Sequence, residues 1–226
     1  MPTLEALFAP SKDNAVLLLS LLSAIIHIPS VLSRPSYPRT ATKTASTALL
    51  ALLAHQRGAS RLLTGALALG SLGDFFLAWD GDANFLRGLA SFLTAHVLYV
   101  ALLARTGGGQ EALLAETWRA GAATFFAVVL TPGMAALLVP RVASDMRAPI
   151  VVYSTVIATM VVTALTLDNN LVISGAVLFT TSDAILSLEK FVVGQKSPHS
   201  PWMRHAVWAL YYTGQLLIAL GFVPGG

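Results

Sequence analysis

The chain has 226 residues, of which 55% are hydrophobic and 11% charged, with a mean hydropathy of +0.71. A soluble domain carries about 25% charged residues, mostly at its surface, so this composition excludes a soluble enzyme, a disordered tail and a coiled coil. It leaves a single integral membrane domain spanning 1–226. The net charge of +3 comes without a basic stripe interleaved with aromatics, which argues against a nucleic-acid partner and assigns the basic excess to loops. There is no cysteine, hence neither disulfide nor thiolate chemistry.

A helix needs about 20 residues to cross roughly 30 Å of hydrocarbon. Eight apolar stretches meet or approach that length, at about 15–33, 43–56, 61–79, 85–104, 118–139, 148–167, 171–189 and 205–222. The first is read as a retained helix, because Met1 to Pro10 lacks the basic region of a signal peptide. Its Pro29 should kink or end it. The second reaches full length only if Thr40, Ala41 and Thr42 join it. Breakers separate the rest, including Arg57-Gly58, Asp80-Gly81-Asp82, Gly107-Gly108-Gly109, Val139-Pro140-Arg141, Asp168-Asn169-Asn170 and Ser197-Pro198. The runs are continuous rather than alternating, which disfavours a β-barrel. The expected fold is all-α, a polytopic membrane bundle of about eight helices.

Eight spans put both termini on one side. Nine of the Lys and Arg residues then fall on the opposite side and five on the terminal side. The positive-inside rule therefore places the termini in the lumenal or extracytoplasmic space. Gly65-Ala-Leu…Gly73-Asp74 in the third run is echoed by Gly175-Ala-Val…Ser182-Asp183 in the seventh, compatible with a 4+4 parallel repeat. Both aspartates lie about two-thirds along helices that run the same way, and so at similar depth.

Asp74 is the sole ionisable residue between Leu62 and Trp79, and Asp183 the sole one between Leu171 and Leu188. A carboxylate at that depth is costly and marks a functional site more often than a packing hydrogen bond. Two carboxyls with different surroundings can divide into an acid and a base, which suits hydrolysis without a metal. Proton or cation transport would use the same ingredients, so a transporter or lipid-binding receptor is the competing class. Lys43 opens the second run and either binds a lipid phosphate or snorkels to the headgroups. His96 lies mid-helix with Tyr99 on its face, and Tyr153 falls early in the sixth run. Tyr211 and Tyr212 precede Gln215 by four and three residues, presenting a phenol and an amide together. Each of these residues alone could be a packing group or an interfacial anchor. With the aspartates they make a polar pocket. Ser71 and Ser182 neighbour the aspartates and read as hydrogen-bond partners, not nucleophiles. The histidines at 27, 55, 96, 199 and 205 lack metal-ligand spacing, and no cofactor fingerprint is present.

Five segments in order resemble the YhhN-type lysoplasmalogenase family. They are Gly73-Asp74-Phe-Phe-Leu77, Phe85-Leu-Arg-Gly88…His96-Val-Leu-Tyr99, Pro149…Tyr153…Met160, Gly175-Ala-Val-Leu-Phe-Thr-Thr-Ser182-Asp183, and Tyr211-Tyr212-Thr-Gly-Gln215. The family usually follows its lysine with proline, where this chain has Lys43-Thr44; it often has Asn where this chain has Glu189. The resemblance implies eight membrane helices and hydrolysis of the vinyl-ether bond of lysoplasmalogens. The products would be a fatty aldehyde and glycerophosphoethanolamine or glycerophosphocholine. It further implies a lysophospholipid substrate, membrane lipids as surroundings and no cofactor. The membrane would be the endoplasmic reticulum in a eukaryote and the inner membrane in a bacterium. Asp74 and Asp183 would be the acid–base pair, and Lys43 would hold the phosphate. His96, Tyr153, Tyr211, Tyr212, Gln215 and Ser182 would line the substrate site.

Overall fold

A computed structural model describes residues 12–224, with side chains from Asn14 onward. Met1 to Pro10, the segment bearing on the signal-peptide question, lies outside the described residues. Among the described residues nine helices follow one another: α1 (Lys12–His27), α2 (Tyr37–Gln56), α3 (Arg61–Leu77), α4 (Asp82–Thr106), α5 (Gly109–Ala115), α6 (Thr117–Arg141), α7 (Ser144–Ala164), α8 (Asn170–Val193) and α9 (Ser200–Phe222). There is no strand among the described residues. Eight of the nine coincide with the eight apolar runs. The ninth, α5, is a short helix in the glycine-rich connection, where the sequence pattern predicts only a loop.

By length and composition, α4, α6, α7 and α8 are sufficient to cross a membrane, and Asn14–Ser30 is a shorter apolar helix. The remaining three apolar runs fall short for visible reasons. α2 starts at Tyr37 and spends its first two turns on Tyr-Pro-Arg-Thr-Ala-Thr-Lys. α3 has 17 residues. α9 carries His205, Tyr211, Tyr212 and Gln215 within its apolar sequence. The exposed surface is correspondingly greasy, with Leu22, Ile25, Phe125, Val128 and Val129 all turned outward. In a soluble protein such positions would be polar; here they suit contact with lipid tails. The molecule is a helical integral membrane protein.

Local chemistry explains the helix boundaries. α1 ends at His27, and Pro29 follows in a 3-10 turn over Ile28–Ser30, as its missing N–H requires. Pro38 sits in the first turn of α2, where a backbone N–H would have no partner. This lets Thr40, Ala41 and Thr42 join the helix. Ser60 caps α3 by accepting from the Leu62 N–H at 3.3 Å. The Asn169 side chain caps α8, accepting from the N–H groups of Leu171 at 3.1 Å and Val172 at 3.3 Å. Gly58, at φ +67°, makes the turn between α2 and α3 in a conformation that L side chains resist. In α6 the helix widens to π geometry over Phe125–Leu130, just ahead of Pro132. Thr131 answers that break by donating its hydroxyl to the Phe126 carbonyl at 2.7 Å.

The chain folds as two compact units. The first comprises α1, α2, α3, α4 as far as Leu98, and the end of α9 from Ala219. Here α2 lies between α1 and α3 and packs extensively on both. Leu50, Leu53, Leu63, Ala66 and Leu67 are fully buried in it. α3 meets α4 on small residues: a Cβ at Gly73 would stand 2.5 Å from the Phe92 ring, and one at Gly88 2.7 Å from Leu77. The second unit runs from Tyr99 to Ile218. In it α8 meets α9 at Gly175 and Gly214, while Leu138, Val142 and Ile150 form an apolar cluster with Met134, Met146 and Phe191. Arg119 of α6 is buried and ties down the α7–α8 turn. It donates to the Leu167 carbonyl at 3.1 Å and to Asp168 at 2.7 Å.

The glycine crossing in the second unit is testable. A Cβ at Gly175 would meet the Gly214 carbonyl oxygen at 2.8 Å and the Ile218 nitrogen at 2.9 Å, both backbone atoms that cannot rotate away. Gly175→Ala should lower the thermal unfolding temperature in detergent, at a cost of about 1–3 kcal/mol. Gly121→Ala, with nothing within 4 Å of the new methyl, should be neutral or slightly stabilising.

Candidate active site

In the first unit a single carboxylate organises two helices. Asp74 is 1% exposed on α3. Its Oδ2 accepts from the Thr47 hydroxyl at 3.0 Å, and its Oδ1 lies 3.4 Å from the Lys43 ammonium. Lys43 and Thr47 are four residues apart on α2, so a cation and a hydroxyl stand one turn above the other on the same face. The same two helices are tied again one turn away, where Ser71 donates to the Thr44 carbonyl at 3.0 Å. Arg39, one turn before Lys43, donates to the Ala78 carbonyl at 2.6 Å and so closes the C-terminal end of α3. On the other side of α2, Ser20 of α1 donates to the Ser46 carbonyl at 2.6 Å. His96 on α4 is fully buried, with Nδ1 2.6 Å from the Phe92 carbonyl one turn back. A carbonyl can only accept, so this ring nitrogen carries a proton.

In the second unit the polar groups are phenols and an amide. Asp183 is half-buried on α8, and its Oδ2 accepts from the Tyr153 hydroxyl of α7 at 2.8 Å. Gln215 on α9 is 0% exposed. Its Oε1 accepts from the Tyr99 hydroxyl at 2.5 Å, and its Nε2 donates to the Tyr211 hydroxyl oxygen at 3.4 Å. Tyr99 and Tyr211 thus hold opposite ends of the amide. Phe179 packs edge-on against Tyr211 at 5.2 Å and against Tyr99 at 6.5 Å, holding both rings. Tyr212 takes a different environment, stacked on Trp208 with ring centroids 6.0 Å apart. Ser182 uses its hydroxyl on the Val207 carbonyl at 3.0 Å, tying α8 to α9.

Of the residues singled out from sequence, Lys43 joins Asp74, Tyr153 joins Asp183, and Tyr211 joins Gln215. Lys43 meets a carboxylate rather than standing alone. Within α9 the phenol that meets the amide is Tyr211, four residues before it, not Tyr212. Two further residues belong to these clusters and are not among the sequence candidates. Thr47 is one turn from Lys43 on the same helix face, a spacing that could have found it. Tyr99 enters the sequence pattern only as a neighbour of His96; a phenol in the middle of an apolar span needs a partner for its hydroxyl, and that was the available signal. Among the described residues no three His, Cys, Asp or Glu side chains cluster as metal ligands would.

An all-helical membrane protein with a carboxylate ion-paired inside one unit, and a second carboxylate on a phenol in the other, defines a class of intramembrane proteins with an acidic centre in each unit. The comparisons narrow that class. The YhhN family model matches residues 38–222, and the chain belongs to the YhhN family. It is similar to the human lysoplasmalogenase TMEM86B, 32% identical over 72% of this chain and 64% of that protein. It is also similar to the lysoplasmalogenase of Mycobacterium bovis, 31% identical over 77% of this chain and 66% of that one. The bovine lysoplasmalogenase TMEM86A is 29% identical over 77% of this chain and 72% of its own. The chain thus spans just under two thirds of the first two relatives. No solved structure matches it.

The phenol–amide contact predicts a structural effect. Tyr99→Phe deprives the buried Gln215 Oε1 of the donor 2.5 Å away, and should destabilise the protein in detergent by about 1 kcal/mol, read as a lower unfolding temperature. An unchanged temperature would show that the amide does not depend on this donor.

Proposed function

We propose that the protein is a lysoplasmalogenase, hydrolysing the vinyl-ether bond of a lysophospholipid within the membrane. The observation that carries the reading is Asp74. It is a carboxylate, buried and ion-paired on an apolar helix, in a chain of the YhhN family whose similar proteins bear the name lysoplasmalogenase. The reaction needs one carboxylic acid and one carboxylate, and Asp74 and Asp183 have the different surroundings such a division requires: an ammonium and a hydroxyl for one, a phenol for the other.

In this reading Asp183 is the acid and Asp74 the base. The acid gives its proton to the β-carbon of the alkenyl group. The electron pair of the double bond forms the new C–H bond, and the adjacent carbon and ether oxygen share the positive charge as an oxocarbenium ion. The carboxylate opposes that charge and takes a proton from water as the water oxygen bonds to the cationic carbon, giving a hemiacetal. The bond from that carbon to the glycerol oxygen then breaks as Asp74 returns its proton to the glycerol oxygen, the hemiacetal hydroxyl gives its proton to Asp183, and the fatty aldehyde leaves with both carboxyls restored. One water is consumed, and the two-carboxyl logic parallels that of glycosidases. No cofactor takes part in this scheme. His96, Tyr153, Tyr211, Tyr212, Gln215 and Ser182 would position water and the glycerol hydroxyl.

The glycerophosphoethanolamine or glycerophosphocholine headgroup would remain at the cytoplasmic face while the alkenyl chain lies among the helices. The basic-residue asymmetry supports termini on the lumenal or extracytoplasmic side. The membrane would be the endoplasmic reticulum in a eukaryote or the inner membrane in a bacterium.

Detergent-purified protein should release fatty aldehyde from lysoplasmenylethanolamine. Asp74→Asn and Asp183→Asn should each lower the rate by about a hundredfold or more. Both should keep the parent's elution profile, and Asp183→Asn its unfolding temperature, whereas Asp74→Asn, which takes the carboxylate from Lys43, should unfold at a lower temperature. Near-parent rates in both variants would remove the aspartates from the mechanism. Substrate-dependent uptake or current with the lipid unchanged would point instead to the transporter class.

A further inference from the structure

The sequence left Lys43 two roles, a ligand for the lipid phosphate or a cation snorkelling to the headgroups. We infer a third: Lys43 is a positioning residue that acts through Asp74 and does not bind the phosphate. The inference rests on the vinyl-ether reaction proposed above.

The ammonium lies 3.4 Å from Asp74 Oδ1, and the carboxylate itself is 1% exposed. A buried carboxylate deprived of this cation would lose charge compensation in a low dielectric, an unfavourable state. Swinging Lys43 to a headgroup in every turnover would impose that state at the moment Asp74 is needed. The local scaffold also holds the pair in place. Thr47, one turn along α2, donates to the other oxygen of the same carboxylate at 3.0 Å. Ser71 ties α3 to the Thr44 carbonyl at 3.0 Å, so backbone and side chains of both helices fix the distance. Lys43 is 16% exposed, so its chain is enclosed rather than trailing along the surface. The ammonium and hydroxyl together complement the negative charge of Asp74 and orient its carboxylate for proton transfer from water. Lys43 itself touches no reacting atom.

Two substrates separate the roles: lysoplasmenylethanolamine and the corresponding 1-O-alkenylglycerol, which has the same vinyl ether and no phosphate. Lys43→Met should lower kcat by about a hundredfold on both, with KM changed by no more than about threefold. Lys43→Arg, which keeps a cation beside Asp74, should recover part of kcat on both. A purely packing role would let the methionine, of similar length, retain near-parent kcat. A loss confined to the phosphate-bearing substrate and carried by KM would overturn the inference, and so would unchanged kinetics. If Lys43→Met does not fold, the same two-substrate comparison on Lys43→Arg decides: a kcat change shared by both substrates supports the role, and a KM change on the phospholipid alone overturns it. A folded parent that releases no aldehyde from either substrate would overturn the vinyl-ether reaction itself, a result distinct from any of these.

Discussion

The cost of holding a carboxylate inside a helical bundle governs the first unit. An ionised group transferred from water to a low-dielectric interior must find opposite charge and hydrogen-bond donors, or it is not tolerated. Asp74 finds both on one helix face, because Lys43 and Thr47 are a turn apart. That requirement sets the register of α2 against α3, and the Ser71 and Arg39 hydrogen bonds to backbone carbonyls hold it on either side. Close approach of α4 follows from the same economy of space. Gly73, immediately before the aspartate, lets the Phe92 ring lie directly against the backbone of α3. Small residues at such a crossing gain van der Waals contact where the hydrophobic effect between helices is weak.

In the second unit the contacts described above join Asp183 and Gln215 to phenols, while the cation Arg119 serves the α7–α8 turn. Asp183 accepts from a phenol, and Gln215 is held between two more. Aromatic packing around Phe179 makes the two phenols at Gln215 rigid, so each hydroxyl is aimed by ring contacts rather than by a flexible chain. The two aspartates are alike in sequence, each following an apolar stretch that carries glycine, yet differ in chemical company. Under the proposed reaction that difference matters, since protonating a carbon and capturing the resulting cation need opposite charge states.

Much of this was legible from composition and spacing. The low charge content and continuous apolar runs define a helical membrane protein, because every backbone polar group in hydrocarbon must be satisfied within its own segment. Eight of the nine helices follow from those runs, and Asp74 and Asp183 stand out as isolated charges inside them. What the sequence did not show is partnership. Nothing in the spacing of Lys43 and Asp74, on different helices, says that they meet, whereas the pairing of Tyr211 with Gln215 lies within one helix at four-residue spacing. Tyr99 and Gln215 are 116 residues apart and meet only in the folded unit. The short helix α5 was also hidden, because three consecutive glycines masked an Ala-Leu-Leu-Ala segment that forms two turns. The π segment in α6 lies just ahead of Pro132, whose missing N–H disturbs the helix there.

In the proposed reaction the bound lipid is protonated on carbon and then captured by water. The most direct measurement is isotopic: turnover of lysoplasmenylethanolamine in deuterium oxide and, separately, in oxygen-18 water, with mass analysis of the aldehyde, trapped by immediate reduction, and of the glycerol product. The proposed reaction places one deuterium on the carbon next to the aldehyde carbonyl and no oxygen-18 in the glycerophosphoethanolamine, because the bond broken lies on the alkenyl side of the ether oxygen. Oxygen-18 in the glycerol product, or an aldehyde without deuterium at that carbon, would contradict it.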